Sequence, residues 1–380
     1  MSEFRVNNLS NESNSGGPTI SGITTFSGTN YFIPPKGSTK ERPENPQPGS
    51  VRFNTDTKHL EYFRADSIGW VDVEASHGLL DGGHRGLFNG GYKASPANEQ
   101  NNIDMVTIPT LGTAIDFGNT LDPIKGQGCT GSRTRLAMFG GVSPGGDQDN
   151  VTYVTFASLG DATDTGDLVT ACKNSGFGNQ IRGIIAGATP YTNTMEYTTI
   201  ATLGDTKDYG DLTQARGFVY TCASTTRGLI AGGINNPGTP AINIIDYVTI
   251  NTTGNSSDFG DMIGTTNYEG TGFSNATRGV FAAGYRGSYS NTIQYVTIAT
   301  TGDAVDFGDL VSLNGTGKYS ASSPTRGVIA GGIFSPTAPY TNTIEYITIA
   351  STGNSAEFGD MTNAVRSLGD CGGSNGHGGL

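Results

Sequence analysis

The chain has 380 residues, of which 58 are Gly and only 15% are charged. Gly costs a helix interior roughly 1 kcal/mol relative to Ala, which excludes coiled coils and helical bundles, and the strict Gly-X-Y period of collagen is absent. With 16 Tyr and 17 Phe among many β-branched residues, disorder is also excluded, leaving an all-β chain with many tight turns. The net charge of −12 disfavours nucleic acid as a partner, because its binding rests on neutralising phosphates with Lys and Arg. No apolar run is long enough for a membrane-spanning helix. The N-terminal MSEFRVNNLSNESNSGG lacks the apolar stretch of a secretory signal, so synthesis in a reducing cytoplasm is expected. Cys129, Cys172, Cys222 and Cys371 are far apart, and isolated buried thiols are expected rather than a disulfide framework or a metal site.

In chain order, residues 1–48 are poor in apolar groups over most of their length and read as an extended arm. Residues 49–76 hold three strand-sized pieces, Val51–Asn54, Leu60–Arg64 and Trp70–Val73, separated by turns at 55–57 and 66–69. This meander is too small to be stable alone, so oligomerisation or docking is expected.

The phrase PGSVRFNTDTKHLEYF…GW resembles a short segment found near the start of bacteriophage fibre and other virion surface proteins. The preceding GGPTISGITTFSGTNYFIPPKG, with PENPQPG, resembles N-terminal regions of structural proteins from tailed phages of marine cyanobacteria. This resemblance covers about 70 residues. It implies a virion location, with residues 1–76 attaching the chain to other virion proteins, and a homo-oligomer, most simply a trimer.

From residue 77 the sequence repeats. HRGLFNGG, TRLAMFGG, IRGIIAGA, TRGLIAGG, TRGVFAAG and TRGVIAGG begin at or beside Arg85, Arg135, Arg182, Arg227, Arg278 and Arg326, at spacings of 45–51 residues. Each is followed by a variable loop and a strand such as IEYITIAS, with apolar residues on both faces. An FGD-type segment then follows, and after it a Gly-containing apolar stretch. Four strands in about 48 residues, six times over, predict a six-bladed β-propeller spanning 77–380. The terminal HGGL (377–380) aligns with TRGL, and ring closure through an extra strand there is expected. Small residues such as Ala330, Gly331 and Gly332 are expected to let the strand nearest the axis pack closely.

The Gly-Gly pair followed by a Tyr about 14 residues later (Gly233 to Tyr247, Gly332 to Tyr346) resembles kelch repeats. Kelch blades carry a Trp after that Tyr, whereas the only Trp here is Trp70. Phe259, Phe307 and Phe358 are placed to fill that wedge instead.

Arg85, Arg135, Arg182, Arg227, Arg278 and Arg326 could form a ring for an anionic sugar. Because they recur unit by unit beside Asp167, Asp211, Asp261, Asp309 and Asp360, pairing of opposite charges within or between blades is the expected role. The FGD acids are expected to cap local turns, since the DFG tripeptides lack the other parts of a kinase site. His77, His84 and His377 fit no standard zinc spacing. No nucleophile–base pattern is present and the histidines needed for a copper centre are missing, so neither an enzyme nor a cofactor is expected. A carbohydrate-active enzyme is the different-class alternative, because 34 acids single out no catalytic pair.

The loops after the Gly-Gly strands vary in length and sequence, which marks them as candidate binding surfaces. Tyr92, Tyr191, Tyr285, Arg286, Tyr289 and Tyr340 are the candidate residues, suited to a host-surface glycan or protein. The expected function is that of a tail fibre or fibre-tip component adhering to the host surface. A head, neck or tail decoration protein is the alternative within the virion class.

Overall fold

The computed structural model describes residues 34–64, 69–73, 84–94, 96–171, 175–188, 190–235, 242–264, 268–285, 288–311, 315–333, 340–367 and 371–380. Most of the 1–48 arm, His77, Cys172 and Arg286 lie outside these. The described residues are all-β, with one 3-10 turn and no α-helix. The chain divides into two compact units, Met1–Ser76 and His77–Leu380.

In the first unit, Val51–Asn54, Leu60–Phe63 and Trp70–Val73 form an antiparallel meander. Lys36–Gly37 adds a fourth, parallel strand beside Phe53 and Asn54, so part of the expected arm belongs to the sheet. Glu61 is buried at the centre of this unit, bonded by Arg42 at 2.5 Å and Asn54 at 3.2 Å, with Arg52 at 3.2 Å. Burial alone would raise its carboxyl, but the hydrogen bonds from Arg42 and Asn54 and the two arginine charges hold it below the ordinary range.

The second unit contains six four-stranded antiparallel sheets. The second sheet is typical of the order: Gly128–Gly131 pairs with Arg135–Phe139, then Asn150–Thr155, then Thr163–Asp167. The third to sixth sheets repeat it, starting from Ser175–Gly178, Tyr220–Ala223, Thr271–Ser274 and Tyr319–Ser322. In the first sheet the leading strand comes from the far end of the sequence. Gly372–Ser374 pairs with Arg85–Ala94, followed by Ala97–Thr107 and Ile115–Ile124. The strand borrowed by the first sheet is therefore 372–374, and the expected strand at 377–380 is corrected to a turn.

The leading strands of all six sheets line one central cavity of about 50 Å³. This corrects the expected strand order: the Arg-Gly strand is the second from the cavity. The leading strand is instead a short run of small residues and single aromatics such as SGFG, TGFS and YSAS. Each leading strand touches those of the two sheets beside it, and Gly372–Ser374 touches both Tyr319–Ser322 and Gly128–Gly131.

Close packing between sheets explains the Arg-Gly glycine. A Cβ on Gly183, Gly228, Gly279, Gly327 or Gly86 would collide with Thr130, Phe177, Cys222, Phe273 or Ala321 of the preceding sheet. The second sheet inverts this arrangement. Leu136 stands in place of the glycine, and the residue it faces is Gly373.

Outer strands are bulged opposite the third strand, and the FGD phenylalanine turns inward there. Phe259 packs with Phe281, Val296 and Ile298 of the next sheet. Phe307 and Phe358 are buried in the same way between sheets. In the FGD glycine itself, Gly210, Gly260, Gly308 and Gly359 take positive φ and lie against the backbone of Gly254, Gly302, Gly353 and Gly112 of the next sheet. A side chain fits neither the dihedral nor the space.

The repeated arginines do not pair with the repeated acids. Arg135, Arg182, Arg227, Arg278 and Arg326 each lie over the ring of a Tyr in their own sheet, with Cζ 4.2–4.5 Å from the centroid. Each also donates to a carbonyl just past the third strand of the next sheet. These bonds are Arg135 to Ala201 O (2.8 Å), Arg182 to Ile250 O (2.9 Å), Arg227 to Ile298 O (2.8 Å) and Arg278 to Ile349 O (2.7 Å). Arg326 donates to Ile108 O of the first sheet at 2.8 Å, and Arg85, which has Met105 in place of Tyr, donates to Phe156 O. A guanidinium flattened on a ring keeps its edge N–H groups free, and a carbonyl past a strand end needs a donor.

At the repeated acids it is the backbone that links one sheet to the next. The backbone N–H groups of Asp167, Asp211, Asp261 and Asp309 donate at 3.0–3.1 Å to Asp205, Asn255, Asp303 and Asn354 of the following sheet. Asp360 accepts the Ala114 N–H through its carbonyl at 2.7 Å. Burial first, and then neighbouring acids, raise the carboxyls of Asp167 and Asp261, which is the reverse of what an arginine partner would do. A third link uses a buried polar group of the third strand. Glu196, Asp246, Gln294, Glu345 and Asp104 accept the N–H of Val169, Thr213, Ile263, Val311 and Thr362 at 2.7–3.2 Å. Thr152 occupies this position in the second sheet, where its Oγ1 is buried without a partner.

Candidate binding site

At one end of the six sheets each Arg-Gly strand runs into its Gly-Gly pair, and the next lead-in to a leading strand begins beside it. The loops carrying the candidate tyrosines leave from this end. Short bridges tie loop to lead-in: Tyr92 to Arg366, Lys125 to Val142, Gly217 to Ile234 and Tyr268 to Tyr285.

Two residues before a leading strand the backbone turns left-handed. Glycine occupies that place at Gly126 and Gly317 (φ 72° in both), but Phe218 (φ 57°) and Glu269 (φ 54°) hold it elsewhere. A non-glycine residue there is strained by about 1–2 kcal/mol. The lead-ins are joined side by side. Glu269 N–H donates to Phe218 O at 3.2 Å, Gly317 N–H to Glu269 O at 2.9 Å, and Ser367 N–H to Gly317 O at 3.0 Å.

Half-buried aromatics follow this arc. Tyr285 sits between Tyr268 (5.4 Å, 53°) and Tyr289 (5.6 Å, 84°). Tyr191 meets the edge of Phe218 at 6.4 Å, and Tyr92 meets Tyr340 at 6.2 Å. Such pairs contribute roughly 0.5–1.5 kcal/mol beyond burial and hold their rings in place. Five of the six residues expected to bind, Tyr92, Tyr191, Tyr285, Tyr289 and Tyr340, thus come to one end of the molecule.

The charged groups of this arc are unevenly satisfied. Lys125 lies over Tyr92 at 4.7 Å and pairs with Glu99 at 2.6 Å. Arg366 lies over Tyr340 at 5.6 Å. Its Nε is buried with no acceptor, and among the described residues its guanidinium makes no ion pair. Burial raises the Glu269 carboxyl, offset in part by a hydrogen bond from Thr316 and by the charge of Arg366. Burial and then Glu269 also push up the phenols of Tyr191 and Tyr268. Lys318, just behind the arc, is fully buried with Nζ 2.7 Å from Gly331 O and 3.3 Å from Ile333 O. Desolvation lowers it to about 7, against the opposing pull of Glu345.

Phe218, Tyr268, Glu269, Lys318 and Arg366 were not among the expected site residues. A signal for two of them is present in the sequence: aligning the lead-ins KGQ (125–127), GFV (217–219), YEG (268–270) and TGK (316–318) places Phe218 and Glu269 where the other two carry Gly.

The opposite end carries the repeated arginines. There residues 376–379 lie across the sheet ends. Gly378 N–H donates to Ser274 O at 3.0 Å, and His377 Nδ1 accepts Gly379 N–H at 3.1 Å. His377 Nε2 is 2.6 Å from Gly131 O, so both ring nitrogens are engaged and the proton sits on Nε2. Gly376 packs on His84. Among the described residues no three His, Cys, Asp or Glu side chains are grouped to hold a metal ion. Cys129, Cys222 and Cys371 are buried.

A scan against protein-family models finds no match to this chain, and a search among curated proteins finds no significant relative.

Proposed function

We propose that the chain is a non-enzymatic virion structural protein of a tailed phage, a fibre or fibre-tip component that adheres to the host cell surface. In this reading residues 77–380 form a six-bladed, kelch-like β-propeller. The six equivalent sheets and the Gly372–Ser374 strand lent to the first sheet support it, as does the arginine bond from the sixth sheet to the first. Residues 1–76 attach the chain to other virion proteins and bring several copies together, in keeping with the resemblance of that segment to phage N-terminal regions. Many copies would gain avidity even when each contact is weak.

The observation that carries adhesion is the loop end, where half-buried tyrosines and an arginine whose buried Nε has no acceptor among the described residues interrupt an otherwise repeated frame. Purified full-length protein should bind host cells and compete with the phage for adsorption, and antibody labelling should find it on virions. Retention on virions without cell binding would favour a decoration protein. Sustained release of sugar from host envelope glycan would favour an enzyme.

A further inference from the structure

The loop end presents more than aromatic surface. The 77–380 unit holds 15 basic and 25 acidic groups, so a cation with no ion pair among the described residues stands out, even with the charge of Glu269 acting on it at longer range. The six repeated arginines all have carbonyl acceptors, whereas Arg366 has none among the described residues. A guanidinium 5.6 Å over the Tyr340 ring carries a planar fork that matches a carboxylate in two-point contact. The tyrosines nearby offer flat, half-buried faces of the kind that stack on sugar rings, and Glu269 and the phenol oxygens offer acceptors for hydroxyl groups. Dense polyanions such as nucleic acid suit this acidic unit poorly.

We propose that this end binds a carboxylate-bearing saccharide, with Arg366 taking the carboxylate, Tyr285 and Tyr340 stacking on sugar rings, and Glu269 accepting from ring hydroxyls. The assignment rests on the adhesion reading above and names its ligand class. The ligand supplies an acceptor to a guanidinium that has none among the described residues, and this selects acidic over neutral sugars.

Calorimetric titration of the full-length protein with short oligogalacturonides, and with the same oligomers as methyl esters, tests it. The free acids should bind, and esterification should weaken binding roughly 10- to 100-fold, the scale of a lost charge-assisted pair. Arg366→Gln should produce the same loss for the acid and none for the ester, while Tyr285→Ala should weaken both. Arg133→Gln, the same charge change at an exposed position, should leave binding unchanged. Thermal melts of each variant separate lost binding from lost folding. Equal affinity for acid and ester, or no binding of either, overturns the ligand assignment. If cells are still bound in that case, adhesion stands and its ligand lies elsewhere, for example in a surface protein. If oligogalacturonides bind but virions lack the chain, the adhesion reading fails and the site assignment stands.

Discussion

The two ends of the 77–380 unit are built on opposite rules. At the arginine end the sheets solve one problem in nearly one way: an arginine bonds a carbonyl of the next sheet in all six, a Tyr ring underlies it in five, and a glycine opens the contact between sheets, inverted only at Leu136 and Gly373. At the loop end the repeat is broken. Phe218 and Glu269 stand where glycine would be relaxed, Lys318 is buried, and the buried Nε of Arg366 has no acceptor among the described residues. Repetition here is a signature of packing, and its interruption, at a stability cost, marks surface kept for another purpose.

The largest effect expected from breaking this contrast is at Lys318. Its folded-state value of about 7 lies below the ordinary 10.5. Between these values the unfolded chain binds more protons, so stability rises with pH and the penalty is full below about 7. The span is on the order of 5 kcal/mol. Denaturant titrations from pH 6 to 10 should show the rise, and Lys318→Met should flatten it. A wild-type profile as flat as the variant's would contradict the buried cation.

The frame offers the next test. Gly373→Phe should collide with Leu136 and lower stability by about 3 kcal/mol, and Leu136→Gly should leave a void of similar consequence. The double variant recreates the Gly–Phe arrangement of Gly228 with Phe177. It should be clearly more stable than the sum of the two changes, and simple additivity in a double-mutant cycle would refute the inverted packing.

A smaller loss, about 1–3 kcal/mol, is expected for Arg227→Ala, which removes both the Tyr247 stack and the Ile298 bond. Arg85→Ala should cost less, because Arg85 has no ring beneath it. Thermal melts that rank the two in the reverse order would break the account of the arginine belt.

The smallest effect has the opposite sign. Glu269→Gly relieves a left-handed backbone and should raise stability by about 1 kcal/mol while weakening ligand binding. Stabilisation of this kind is not expected for any glycine-lined position of the frame.

Much of the frame is legible in the sequence, because 45–51-residue spacing, Gly-Gly pairs and two-sided apolar strands report directly on burial. The identity of the leading strand is not. SGFG and YSAS are selected for smallness at a crowded cavity, which leaves no apolar period, so the sequence pattern points to the Arg-Gly strand instead. Partners of the repeated arginines were misread for a related reason: a backbone carbonyl has no letter of its own, while nearby Asp residues do. HGGL matches TRGL by composition, yet at 377–380 it forms a turn whose bonds go to Gly131 and Ser274. The tyrosines of the loop end could be picked out by their variable loops. Arg366 could not, since what surrounds its guanidinium among the described residues is a fact of three dimensions.

Host-cell binding by the full-length protein carrying Arg366→Gln and Tyr285→Ser tests the central claim most directly. Most of the binding should be lost while the melting midpoint falls by no more than a few degrees, about the shift expected for losing the two ring pairs of Tyr285. Undiminished binding by a folded double variant would contradict the assignment of the loop end as the adhesive surface.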